Sequence, residues 1–462
     1  MRLIRNRSLA VAALLALLAT FVLAQEKEAP PEGSAPKPFT SPRRQSETLP
    51  NGLRVTSAHY GLIPKVMVEL VVTGGDVSEP ADKQGIGNLM GELIKEGTET
   101  RSAAQVAQEA ASIGGAISVR VEPDDITIQG QALSDGADAL VKLVADVALH
   151  PKFPDSELPR LKADLLRQIA IAKSSATVMA AQEFLKTVYG DNGYGRALPD
   201  ESVLKSLTLA DVKAFYGKRF VASNARLYIT GVFDDGLRQT IESAFSSWPK
   251  GRGFENPVIK AQTKHTLALV DRPGAPQSTI YMGLPVATPG NKDYIPLQVA
   301  DSILGGSFMS RITTNIREEK GYTYSPHSVL ETNAQNTIWA EHADVTTKFT
   351  GASLTEIYGE IDKLRKQAPP DKELKGIQNG MAGVFILRNS SRQGIINMFK
   401  LVDLHHLPAD YLDTYISNMY AVKPPQVQGM LEKYIDPGKM TVVVVGDKSQ
   451  IEKQVAPFKP GS

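Results

Sequence analysis

The 462-residue chain contains no cysteine. Disulfides are therefore excluded, and so is a lipidated N-terminal cysteine as a membrane anchor. Neither sign of charge prevails, with 51 basic residues against 50 acidic ones. A chain this close to neutrality gives no basis for nucleic acid or an anionic membrane as a partner. Histidine is scarce: His59, His150, His265, His327, His342, His405 and His406 are the whole set. None stands at H-x-x-x-H spacing from another, and the adjacent His405 and His406 would diverge by about 100° on a helix. Glu341-His342-Ala-Asp344 is denser in ligands but sits in an alternating stretch that reads as a strand edge. Gly305-Gly306 has no lysine at P-loop spacing and reads as a helix-opening turn. An independent metal site and a phosphate loop are both disfavoured, and Glu92 and Glu96 read as solvated carboxylates.

At the N-terminus, Arg2, Arg5 and Arg7 precede an apolar run over residues 9–24 with small residues near Ala24. A basic start, a short apolar core and a small-residue cleavage point are the parts of an export signal. Its removal leaves 48 basic against 50 acidic residues. The mature chain is expected to be soluble, without a stable membrane anchor, in a bacterial periplasm or secreted. Residues 25–44 are Pro-rich, charged and poor in apolar side chains, which predicts a flexible tether.

An apolar share of 42% and a charged share of 22% suit ordinary globular cores. Glu47–Val55 offers a strand, an Asn-Gly turn and a second strand, and residues 66–72 (VMVELVV) read as a third. Leu140, Leu143, Val144, Val147 and Ala148 fall at helical spacing. Thr208-Leu-Ala-Asp211 has the form of a capping box with Asp in place of Glu. Residues 224–231 close the unit as a strand ending at Gly231. A related grammar returns with a strand at Gln277–Val286, a helix at 293–304 and a strand over 439–447 ending at Gly446. The repetition predicts two homologous α+β domains, 45–250 and 264–458, joined by a linker at 251–263.

The most telling segment is residues 85–98, GIGNLMGELIKEGT. Its Gly-rich opening, apolar helical body and closing Gly-Thr resemble the zinc-site helix of the insulinase/pitrilysin (M16) metallopeptidases. In that family the frame carries H-x-x-E-H, where two histidines at i and i+4 grip one zinc ion and the Glu takes a proton from the metal-bound water. The aligned residues here are Asn88, Gly91 and Glu92. Asn88 offers only a neutral amide, Gly91 cannot accept a proton, and Glu92 alone does not make a site. The family's third ligand, a Glu on a later helix, falls at or next to Gln168 in the helix at 158–169. No zinc is expected on this chain.

A second resemblance lies in residues 305–325, GGSFMSRITTNIREEKGYTYS, which are similar to the M16 segment S-R-L-x-x-x-L-R-E-x-x-G-x-x-Y-S. There the Arg and Tyr reach toward a zinc site carried by the other half, and by position they are Arg317 and Tyr324. A guanidinium and a phenol can bind a substrate carbonyl and the oxyanion that develops during attack. Tyr322 departs from the family pattern and would share a strand face with Tyr324, leaving open which phenol serves. Further islands, Leu49-Pro-Asn-Gly-Leu-Arg54 and Leu407-Pro-Ala-Asp-Tyr411 among them, extend the likeness over nearly the whole mature chain.

The resemblance implies two domains, each an antiparallel sheet flanked by helices, forming a half-clamshell. It also implies a noncatalytic subunit of a heteromeric zinc metalloendopeptidase, whose partner bears H-x-x-E-H and the zinc and whose substrate is a peptide or unfolded polypeptide. The alternative is a nonenzymatic structural or peptide-holding envelope protein on the same scaffold.

Overall fold

Apolar alternation and turn chemistry set eleven strands. In the first half these are Gln45–Thr48 (β1), Arg54–His59 (β2), Lys65–Thr73 (β3), Ala116–Val121 (β4), Asp125–Leu133 (β5) and Ala225–Gly231 (β6). In the second they are Thr266–Asp271 (β7), Gln277–Val286 (β8), His327–Thr332 (β9), Thr337–Thr346 (β10) and Thr441–Gly446 (β11). This computed structural model describes residues 39–461; the expected export signal and residues 25–38 of the tether lie outside the described residues.

The strands form two sheets, ordered β1-β2-β6-β3-β5-β4 and β7-β11-β8-β10-β9. With β1 set aside, the two orders correspond strand for strand, which is the repetition read in the sequence. The chain is α+β, with helices on both sheets. The expectation of purely antiparallel sheets needs one correction: β2 pairs with β6, and β7 with β11, in parallel. In each half the last strand inserts between the first two of the repeat. It returns after a run of helices, long enough for the crossover that a parallel pair requires.

Residues 66–72 are buried on both faces of β3, and β11 is buried throughout. Strands of that kind need cover on both sides, and the two halves supply it to one another. One face of the first sheet carries its own helices, Ile86–Ile94 and Ala137–Leu149, packed through Leu89, Leu93, Leu140 and Val144. Its other face is covered by Arg392–Leu404 from the second half, whose Ile395, Ile396 and Phe399 meet Met67, Val71 and Tyr228. The second sheet keeps Thr350–Lys366 on one face. Its other face receives Ala176–Tyr189 from the first half, through Ala180, Phe184 and Val188. The Phe184 ring stacks on Tyr281 with centroids 4.2 Å apart. Full burial of one such side chain stabilises by about 1.5–3 kcal/mol, so each loaned helix contributes several kcal/mol to the half that borrows it.

Asp124, in the β4–β5 turn, ties the halves together by hydrogen bonds. The Tyr194 hydroxyl donates to its Oδ1 at 2.5 Å, and the backbone N–H of Ala334 donates to its Oδ2 at 2.8 Å. Asn256, on the segment joining the halves, adds a third bond at 3.2 Å.

Two sequence expectations are corrected here. Residues 39–44 do not trail as tether: the Phe39 ring lies edge-on to Phe385, the N–H of Ser41 donates to Asp413 at 2.8 Å, and Arg44 pairs with Asp403. Glu341 and His342 do not lie at a sheet edge, because β9 pairs with them outside β10. Among the described residues, no helix is long and apolar enough to cross a membrane.

Candidate functional site

The helix Ile86–Ile94 opens at Gly85, whose φ of 82° places it in the left-handed region that glycine adopts without strain. Its first turn is capped by a side chain from outside the helix. The Glu79 carboxylate accepts the N–H groups of Gly85 and Gly87 at 2.7 and 2.8 Å. A Cβ at residue 87 would lie 3.0 Å from Glu79 Oε1, so the glycine gives the carboxylate room. Asp76 stands beside it and accepts from the Asn88 amide at 3.2 Å. Burial raises both carboxyls, and the charge of Asp76 raises Glu79 further. Asp76 and Glu79 were not singled out in the sequence; two acids just before a glycine-rich helix start were the available signal.

Each position of the degenerate motif is already engaged in packing. Gly91 faces β4, where a Cβ would come within 2.9 Å of Val121 Cγ2 and 3.8 Å of Val119 Cγ1. Asn88 spends its amide on Asp76. Glu92 is paired with Lys95 at 2.5 Å, and Glu96, beyond the helix end, with Arg160 at 2.5 Å. The helix at 158–169 extends over Leu158–Lys173 and turns Leu161, Leu165 and Ile169 inward. Gln168 is exposed on its outer side.

The second constellation has the opposite character. Residues 302–306 and 314–319 are wound as π-helical turns, a geometry found mostly as short insertions and frequently at functional sites. Gly305 and Gly306 therefore end a helix rather than open one. A Cβ at 305 would lie 2.6 Å from Ser328 Oγ and 2.7 Å from Glu341 Oε2. Arg317 sits in the second π turn, with its guanidinium carbon 4.5 Å from the Phe308 ring centroid and 4.8 Å from that of Tyr324. Its Nε meets Glu318 at 3.0 Å, and its two terminal nitrogens have no partner among the described residues. Tyr324 is 78% exposed and Phe308 65%. A guanidinium held between two rings, with its outer nitrogens free beside a free phenol, is a ready pair of donors for a carbonyl or oxyanion.

The two tyrosines do not share a strand face. Residues 322–325 form no strand beyond one bridge from Thr323 to Val345. Tyr322 turns inward and stacks on Phe349 at 4.4 Å, while Tyr324 turns out over Arg317. Of the two phenols, Tyr324 is the one adjoining the guanidinium.

Residues 54–201 match the family model described as insulinase (peptidase family M16), and residues 206–381 match that described as the peptidase M16 inactive domain. The chain belongs to the M16 peptidase family. It is 23% identical over 395 residues to an uncharacterized zinc protease, YmxG, of Bacillus subtilis, covering 83% of this chain and 93% of that protein. It is 19% identical over 396 residues to the non-peptidase homolog YmxG of Helicobacter pylori, covering 84% and 90%. Among solved structures, a peptidase M16 inactive domain from Pseudomonas fluorescens matches with a TM-score of 0.81 at 22% identity, covering 87% of this chain and 98% of that one. A protease from H. pylori matches with a TM-score of 0.82 at 18% identity, covering 88% and 100%.

These M16 structures share the fold. The residues at this chain's M16 motif do not fit a zinc ion. The helix offers one amide turned to Asp76, a glycine closed off by Val121, and a carboxylate paired with lysine. Among the described residues, no cluster of three or more His, Cys, Asp or Glu is placed to hold a metal ion.

Proposed function

We propose that this chain is the noncatalytic subunit of a heteromeric zinc metalloendopeptidase. A partner of the same family with an intact H-x-x-E-H would supply the zinc and the general base. This chain would supply Arg317 and Tyr324, which bind the carbonyl of a peptide substrate and the oxyanion formed from it. One contrast carries the reading: the motif helix spends Asn88 on Asp76, closes Gly91 against Val121 and pairs Glu92 with Lys95, whereas Arg317 keeps its two terminal nitrogens unpaired beside the exposed Tyr324 phenol. A chain retaining oxyanion donors without a nucleophile generator has use for them only beside another chain's metal. The basic and apolar N-terminal stretch supports an exported, periplasmic location for the complex.

The test is purification of the mature chain from its native envelope under gentle conditions, with mass spectrometry of whatever co-elutes stoichiometrically. Co-elution of an H-x-x-E-H-bearing subunit is expected. Elution alone, or with unrelated envelope proteins, would overturn the reading in favour of a structural or peptide-holding protein.

A further inference from the structure

Beyond the C-terminal end of Arg392–Leu404, no described helix covers the outer face of the first sheet, whose Arg54 and Arg226 lie on the floor of a groove of about 860 Å³. In the parallel register of β2 with β6, Arg54 lies directly beside Arg226, and Thr56 beside Tyr228. Neighbouring strands are about 4.8 Å apart, so two guanidinium groups rise side by side from this floor. Arg43 joins them from the wall formed by residues 41–44.

The charges around these three arginines are already spoken for. Arg44 is neutralised by Asp403, which also accepts the Tyr228 hydroxyl at 2.9 Å. Glu47 pairs with Arg238 at 2.9 Å, which also holds Glu242 at 3.1 Å. Asp413 takes the N–H of Ser41. The side chains of Arg43, Arg54 and Arg226 make no hydrogen bond or ion pair with any described residue. Like charges at directly paired strand positions repel, and a bound anion would relieve that repulsion.

We propose that this groove is a binding site for a phosphomonoester. A planar carboxylate is satisfied by a single guanidinium fork. A tetrahedral phosphate presents three terminal oxygens, enough for two parallel forks and a third arginine. Among the lining residues Arg43, Arg44, Arg54 and Arg226 outnumber Glu47, Asp403 and Asp413, a positive balance that favours an anion. Among the described residues no Phe, Tyr or Trp lines the groove. The phosphate can come from a small soluble ester or from a lipid headgroup.

Calorimetric titration of the chain with glycerol 3-phosphate, and flotation with phosphatidylcholine vesicles containing phosphatidic acid, test the proposal and separate the two sources. Saturable binding that weakens at least tenfold in the Arg54→Gln/Arg226→Gln variant, with an unchanged melting temperature, is the expected result. Arg43→Gln alters only an exposed side chain and should weaken binding several-fold, which keeps the test decisive if the double variant misfolds. Binding of the soluble ester without flotation assigns a small phosphate; flotation lost in the same variants assigns the headgroup. Equal binding by wild type and variants, tighter binding of succinate, or no binding of either probe overturns the proposal.

Discussion

Val121 fills the space that any side chain at Gly91 would need: a Cβ there would stand 2.9 Å from its Cγ2. The loss of the catalytic glutamate position is therefore built into the packing of β4 against the motif helix. Restoring the motif by Asn88→His, Gly91→Glu and Glu92→His is expected to leave the chain without zinc-dependent cleavage. Overpacking at residue 91 should cost about 1–3 kcal/mol. Adding Val121→Ala should recover part of that loss. Denaturant titration and zinc competition against a chromophoric chelator check both halves of the prediction, and stoichiometric zinc binding by the triple variant would sink it.

The donors on the other side should behave as a pair. In the assembled complex, Arg317→Ala or Tyr324→Phe is expected to lower peptide turnover by about 10²–10³ while leaving assembly intact. Tyr322→Phe, altering a phenol that stacks on Phe349, should leave turnover near wild type. Steady-state kinetics on complexes of confirmed stoichiometry make the comparison. Unchanged turnover in the first two variants would remove both residues from the site.

Asp124 holds three donors from three parts of the chain. Asp124→Ala strands the buried Tyr194 hydroxyl and removes the acceptor of the half-buried Ala334 N–H, and should destabilise by about 2–4 kcal/mol. Tyr194→Phe leaves Asp124 its other partners and should cost about 1 kcal/mol. Urea midpoints for the two variants give the ranking, and a cost for Tyr194→Phe equal to that of Asp124→Ala would contradict it.

Buried acids should make stability depend on pH. Glu341 is fully buried, its two oxygens have no hydrogen-bond partner among the described residues, and burial followed by the nearby Asp301 charge raises its pKa well above the ordinary value. Burial, followed by the charge of Asp76, likewise pushes Glu79 up to about 8. Each group binds its proton more tightly folded than unfolded. Its contribution is complete below the unfolded value of 4.5 and is lost as pH rises through the folded value. Melting temperature should therefore fall as pH rises from about 4.5 toward about 8 through Glu79, with Glu341 adding to the fall above 4.5. Glu341→Gln, which fixes the neutral form, should flatten the fall; an unchanged slope would argue against a protonated Glu341.

Much of the architecture was legible. Residues 66–72 and Gln277–Val286 announce buried strands by composition alone, and the Thr208 capping box forms as read, with Asp211 Oδ2 accepting the Thr208 N–H at 2.8 Å. The recurring strand and helix order gave the duplication. Partner identity was not legible. The stripe of Ala180, Phe184 and Val188 says that a helix face is buried, but period and hydropathy carry nothing about which sheet buries it. Spacing likewise misled at Tyr322 and Tyr324, because the two-residue alternation holds only where a ladder of hydrogen bonds keeps the chain extended. For the candidate site, the motif positions Asn88, Gly91 and Glu92 could be located, but not the packing against Val121, which comes from a separate strand, or the capping by Glu79, which the turn before the helix brings back onto its first N–H groups.

The exchange of helices also sets a timetable for synthesis. The strand that completes the first sheet ends at Gly231, but its outer cover does not begin until Arg392. At roughly 5–20 residues per second, that interval lasts about 10–30 s. Throughout it the nascent first half has a bare apolar sheet face, and the second half has no finished core of its own. The first half therefore cannot bury this outer face until Arg392–Leu404 has been made.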